Sequence, residues 1–188
     1  ILAADDEDEL QRSATVRDAW PAVRFSTGIH PHAAGRYADA PERASAIVAA
    51  AIDRVPTVRA VGEVGLDYHY DHSPRDVQQA VFAAQVDLAN RLGRPLVVHT
   101  REAWDDTFAV LHDVGVPERL VFHCFTGGAD EAARCLVLAT ALDSDTAHRT
   151  DDPKAKQAAE DRLGLLTPVL KGCLTDLGFE NAVKAQQV

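Results

Sequence analysis

The chain contains no methionine and only three cysteines in 188 residues. Cys124, Cys135 and Cys173 are an odd number without a Cys-x-x-Cys pair. That fits reduced thiols in a cytoplasmic protein better than a disulfide framework. No apolar run exceeds a handful of residues, so no segment is suited to span a membrane. The opening ILAADDEDEL is acidic where a secretory leader is basic. With no Met at position 1, we expect the chain to begin inside a longer protein or after processing. Basic charge is scarce as well: 19 Lys and Arg face 29 Asp and Glu, a net charge of −10. Sequence-independent binding of nucleic acid through a basic surface is therefore disfavoured. A phosphate-bearing substrate stays compatible, because a divalent cation supplies the positive charge that the chain lacks. What is present is globular: 46% hydrophobic and 26% charged residues, in a length that suffices for a sizeable core.

Lysine is absent from the first 153 residues. All 13 basic residues up to Arg134 are arginines, and Lys154, Lys156, Lys171 and Lys184 all follow. Such a shift marks either chance variation within one domain or a join between two segments. Residues 1–134 alternate short β-rich runs with helical patterns. The runs are Val23–Ile29, Val58–Val64, Pro95–His99 and Leu120–Cys124. The helical patterns are Pro41–Arg54, Arg75–Leu92 and Glu102–Val114. Val77, Val81, Ala84 and Leu88 recur at helical spacing in the second, with Ser73-Pro74 expected to cap its start and Gly93 to end it. This alternation predicts an α/β fold with parallel strands and right-handed crossovers. Residues 135–188 predict a helical tail. Its helices fall at about Ala132–Thr146 and Lys154–Leu177, with a kink or an interruption at Pro168 and an end at Gly178. Asp5–Glu9 is expected as the solvated first turn of a helix.

Polar residues punctuate the carboxyl ends of all four predicted strands: His30 and His32 in GIHPH, Glu63 in VGEVGLDY, His99 in PLVVHTRE and His123 in LVFHCFTGG. In a parallel α/β sheet or barrel these ends converge on the active face. One such residue reads as an ordinary hydrogen-bonded rim group. Four in succession supply the imidazole and carboxylate donors that bind Zn²⁺, Mn²⁺ or a metal pair. Cys124 beside His123 reads as packing. His69 and His72 offer metal donors but sit in a loop, where histidines are usually exposed.

GIHPH, GEVGLDYH, VVHTREA and FHCFTGG resemble, in order and spacing, the TatD-type metal-dependent deoxyribonucleases of the amidohydrolase superfamily. The resemblance covers about residues 10–134. It implies a (β/α)₈ TIM-type barrel, present here in part. It also implies divalent metal ions (Mg²⁺, Mn²⁺ or Zn²⁺), two in the complete site, and hydrolysis of DNA phosphodiester bonds by a metal-activated water in the cytosol. By the same resemblance Glu63 is the catalytic bridging ligand, and His99 and His123 are metal ligands. His32, Asp67 and Arg101 then lie behind the ligands or against the DNA or nucleotide substrate.

Two parts of the family pattern are missing: the His-x-His pair of the first strand and the last Asp ligand. Four strand–helix units are visible where a closed barrel has eight. Open sheet edges invite self-association. The tail, about residues 137–188, resembles a helical stretch from the C-terminal domain of acyl-CoA dehydrogenases. That divides the chain into a partial barrel over 1–134 and a helical tail over 135–188. Two readings follow: a TatD-like hydrolase, or a non-catalytic fusion or fragment. A third keeps the superfamily and changes the substrate to another ester or an amide.

Overall fold

A computed structural model describes residues 2–4, 12 and 14–185. The acidic stretch Asp5–Glu9 and the side chain of Cys173 lie outside the described residues. The chain forms two compact units, Ile1–Thr126 and Gly127–Val188.

The first unit is a five-stranded parallel sheet whose spatial order equals its chain order. Its elements are β1 (Leu2–Ala4), α1 (Ala14–Ala19), β2 (Phe25–Thr27), a 3₁₀ helix (Pro31–Tyr37), α2 (Pro41–Arg54), β3 (Val58–Asp67), α3 (Arg75–Leu92), β4 (Leu96–Arg101), α4 (Trp104–Val114) and β5 (Leu120–Phe122). The four expected strands are present and parallel, and β1 precedes them. Three residues flanked by acidic sequence carry too little periodicity to mark β1 as a strand. With its helices the sheet is part of a TIM-type (β/α)₈ barrel, and a helical region follows it.

The core follows from the apolar pattern. β3 is buried at nearly every position, so it reads as an almost continuous apolar run. Val58, Val61, Val64 and Leu66 pack with Val81, Phe82, Val86 and Leu88 of α3 and with Leu96 and Val98 of β4. Burying one such side chain contributes about 1.5–3 kcal/mol. Helix α3 ends at Gly93, whose φ of 57° is left-handed and whose N–H reaches the Ala89 and Asn90 carbonyls. Its start differs from the expectation. Ser73 does not cap the helix: its hydroxyl donates to the His32 carbonyl (3.0 Å) and accepts from the Gly35 N–H (2.9 Å). The competing bond pins the 3₁₀ segment instead.

The second unit pairs α5 (Ala129–Arg149) with α6 (Pro153–Ala185). Helix α5 starts earlier than its apolar pattern because Glu131 Oε2 accepts the Gly128 N–H at 2.7 Å. Arg162 joins the helices through a forked contact to Asp143 at 2.6–3.1 Å. Helix α6 runs through Pro168 and past Gly178 without ending. A proline removes one backbone bond, and here the surrounding turns of good helix formers outweigh that single loss. Among the described residues no helix is long and apolar enough to cross a membrane.

Candidate metal centre

Strands β2 to β5 lie side by side, and residues on or just after them bring polar side chains together: His30 and His32 after β2, Glu63 and Asp67 on β3, His99 on β4 and His123 after β5. Behind β2, the buried amide of Gln85 accepts the Ile29 N–H at 2.7 Å and donates to the Ile29 carbonyl at 3.1 Å. This fixes the backbone just before His30. Pro31 then opens the 3₁₀ helix, with His30 as its cap: His30 Nδ1 accepts the His32 N–H at 3.3 Å. The turn sends the two imidazoles to different partners. His30 Nε2 lies 3.9 Å from Glu63 Oε1, and His32 Nε2 lies 3.0 Å from Asp67 Oδ2.

Glu63 sits on an irregularity in β3. Val61 pairs with Leu96 and Val64 with Val98, so three steps on β3 face two on β4. Such a bulge re-aims a side chain while the ladder continues on both sides. Close contact continues at Gly65, where a Cβ would overlap the His99 carbonyl oxygen. Asp67 ends the strand at 1% exposure. Its Oδ1 accepts the N–H groups of His69 (3.1 Å) and Tyr70 (2.9 Å). Gln78 clamps the Asp67 backbone from α3 through its N–H (2.8 Å) and carbonyl (3.2 Å).

His99 links the two carboxylates: Nδ1 is 2.9 Å from Glu63 Oε1 and Nε2 is 3.0 Å from Asp67 Oδ2. Burial alone would lower its pKa, but the bonds to Glu63 and Asp67 outweigh burial and raise it. His99 therefore holds both carboxylates best as an imidazolium. The bond from His99 keeps Glu63 below the usual carboxylate range despite burial. For Asp67 burial pushes upward, and the Tyr70 N–H with His32 and His99 pushes further down, so its carboxyl is also lowered. His30 goes the other way: burial, then the neighbouring His99 and His32, bring it down to about 4.

Glu63 and His99 thus meet directly, and His30 joins them. Ligand atoms from His30, Glu63 and His99 lie within 4.8 Å of one another, a spacing that suits a metal ion. The donor set fits a divalent cation: a neutral imidazole and an ionised carboxylate are the protonation states that ligation needs. A proton on His99 and a bound cation would compete for the same position. His123, placed by its backbone bond to the Val98 carbonyl, has Nδ1 3.5 Å from Glu63 Oε1 and a half-exposed side chain. His32 and Asp67 stand behind the group. Arg101 lies at the rim, its guanidinium 4.8 Å from the Tyr70 ring centroid. Cys124 is exposed rather than packed, with Sγ 3.5 Å from His123 Nε2. Its position after β5 leaves it outside the core.

Sequence reasoning placed His30 at a strand end but did not assign it to the metal. Spacing cannot separate it from His32, since both follow the same strand; the cap geometry does. Gln78 and Gln85 were also missed. Their only signal is two polar residues seven apart on an otherwise apolar helix face. Non-glycine residues with left-handed φ mark the loops after β3, β4 and β5: Asp71 (49°), Glu102 (53°) and Cys124 (46°). Backbone strain of this kind gathers where loops are held for function.

A parallel, barrel-type α/β sheet carrying an imidazole–carboxylate group defines an α/β protein of TIM-barrel type with a candidate metal-binding site. The particular family is equally plain. A family model described as TatD related DNase matches residues 1–158, and the chain belongs to that family. The "Uncharacterized metal-dependent hydrolase YabD" of Bacillus subtilis is 43% identical over 81 residues, covering 42% of this chain and 31% of the relative. The "3'-5' ssDNA/RNA exonuclease TatD" of Yersinia pseudotuberculosis is 33% identical over 148 residues, covering 76% of this chain and 54% of the relative. Among solved structures, the TatD homologue YJJV of Escherichia coli superposes with a TM-score of 0.63 at 27% identity, over 72% of this chain and 52% of that one. The chain thus spans about half, or less, of the length of these relatives.

Proposed function

We propose that the chain is a metal-dependent hydrolase that cleaves phosphodiester bonds of DNA, with Glu63 as its catalytic ligand. The observation that carries this reading is the convergence of His30, just after β2, with Glu63 on β3 and His99 on β4, three neighbouring parallel strands. The proteins of known name that share the family support it. When bound, a divalent cation polarises a phosphate and makes a water acidic enough to attack near neutral pH. The chain's own residues do the rest. Glu63 and His30 offer donors in their ligand forms. Asp67 orients His99 and His32 through one oxygen, as a carboxylate behind a histidine ligand does. For a pair of cations, Glu63 and His123 would supply donors to the second. Arg101 is placed to meet a substrate phosphate.

The same reading makes nucleic acid the partner and the cytoplasm the compartment, and it gives the sheet edges at β1 and β5 a tendency to pair with a second copy. The division at residues 134 and 135 is proposed with it. The competing reading is a non-catalytic fusion or fragment whose helical tail derives from an acyl-CoA dehydrogenase; the family match counts against it, because it runs to residue 158, past the division at 134 and 135.

Calorimetric titration with Zn²⁺ and Mn²⁺, paired with hydrolysis of single-stranded oligonucleotides, decides between them. Glu63→Gln is expected to weaken binding about 100-fold or more and to abolish turnover. Equal affinity in the variant refutes the metal assignment. Faster turnover of small esters or amides than of DNA shifts the substrate class and keeps the chemistry.

A further inference from the structure

Between Asp67 and Ser73 the loop after β3 carries two tyrosines with different fates. Tyr68 is built in: its hydroxyl donates to Asp106 Oδ2 at 2.6 Å and accepts from Gln79 at 2.7 Å. Tyr70 is 50% exposed, and among the described residues its hydroxyl has no hydrogen-bond partner. The backbone beneath it is fixed nonetheless. Asp67 Oδ1 accepts the Tyr70 N–H, and Arg75 grips Asp71 with bonds of 2.7–3.3 Å. The ring is thus held out from the protein by bonds made behind it.

Around this ring the neighbours are aromatic and cationic. Tyr70 and His72 are parallel within 4°, with centroids 5.6 Å apart. The Arg101 guanidinium lies over the Tyr70 face. His32 stands edge-on to both, 5.6 Å from Tyr70 and 4.6 Å from His72. His32 is in turn 4.4 Å from His30, so the aromatic step lies two ring spacings from the metal group. An offset pair of parallel rings is a surface that a flat heterocycle extends, and a guanidinium beside it serves both the ring face and a phosphate.

We infer that Tyr70 and His72, with Arg101, form a stacking platform for a nucleobase of the substrate. Resting on the reading of the chain as a nucleic acid hydrolase, this gives the site a base-binding subsite that is indifferent to sequence. Stacking uses the face that every base has, so the platform positions the strand and leaves base identity unread. It also answers how a chain of net charge −10 holds a polyanion: affinity comes from rings and one arginine rather than from a basic surface.

The test is stopped-flow fluorescence of the full chain with Mn²⁺ and an oligodeoxynucleotide ending in 3′-terminal 2-aminopurine. Stacking quenches this base on binding, and hydrolysis later restores its emission as the nucleotide is released. The wild-type chain and Tyr70→Phe are expected to quench strongly. Tyr70→Ala is expected to lose the quench and bind about 10-fold more weakly. An oligonucleotide with an abasic terminus should bind the wild type about 10-fold more weakly too, and Tyr70→Ala should add nothing further. Quenching in Tyr70→Ala equal to wild type, no saturable quenching in wild type, or an equal loss on the abasic strand overturns the platform. Quenching without later recovery refutes the hydrolase reading and leaves the platform standing, so the two failures are distinct.

Discussion

Replacing Gln85 by Leu tests whether the metal group is positioned from inside the helix layer. Gln85 has no solvent exposure. Its amide meets both the N–H and the carbonyl of Ile29, and it also donates to the Val81 carbonyl at 3.3 Å. Leucine has a similar volume and no polar atoms. The variant therefore strands two Ile29 backbone groups in a dry core, each costing about 1–3 kcal/mol when unpaired. Part of that loss is offset by the apolar side chain, leaving an expected destabilisation of about 2–4 kcal/mol. Against typical domain stabilities of about 5–15 kcal/mol this is large but survivable. Urea denaturation should show a lower midpoint with an unchanged slope. Under native conditions, calorimetry should show weaker metal binding, because freeing Ile29 releases His30 beside it. A midpoint shift worth less than about 1 kcal/mol, with metal affinity unchanged, would refute the reasoning.

Two further predictions concern the same face. Gly65→Ala is expected to cost about 3 kcal/mol or more, or to prevent folding, because the new Cβ overlaps the His99 carbonyl and φ is 141°; circular dichroism and urea titration measure it, and a near-neutral result contradicts the strand contact. The raised pKa of His99 predicts opposite pH trends for stability and for metal binding. Its contribution to folding is fully present below the unfolded value, about 6.5, and fades as pH rises through the higher folded value. Metal affinity instead falls as pH drops below that folded value, by about tenfold per unit, since a proton must leave before ligation. Urea midpoints in chelator and calorimetry between pH 5.5 and 8 should therefore move in opposite directions, and parallel trends contradict the linkage.

How much of this was legible in the sequence depends on which interaction fixes each feature. Helices α2 and α3 are bounded where the sequence puts them, because Pro41 and Gly93 act locally and the apolar period between them is strong. Helix α6 runs past its expected end for the converse reason: Gly178 is a local signal, and the length of favourable helix around it decides. In the site, the strand-end rule points to His30, His32, Glu63, His99 and His123, since it needs only the alternation of elements. It could not divide the work between His30 and His32, which depends on a cap bond two residues long. Gln78 and Gln85 were out of reach as well. Their partners, Asp67 and Ile29, are 11 and 56 residues away, and an amide on a buried helix face announces no chemistry.

The order of the strands explains why part of a barrel assembles this group. In the first unit the sheet follows chain order, β1 to β5, so each pair forms through one crossover. His30, Glu63 and His99 follow or lie on β2, β3 and β4, three successive neighbours. Their approach therefore requires two adjacent pairings and the bulge at Glu63, and no strand from the far side of a closed barrel. The supporting bonds are equally local to these units: Asp67 on β3 to His99 on β4, Gln78 and Gln85 on the helix that connects them. Positioning by neighbours also limits loop-closure entropy, because each contact closes only one strand–helix unit. The metal question is thus decidable on this chain, since the residues that would hold the first cation and the groups that aim them belong to one contiguous stretch.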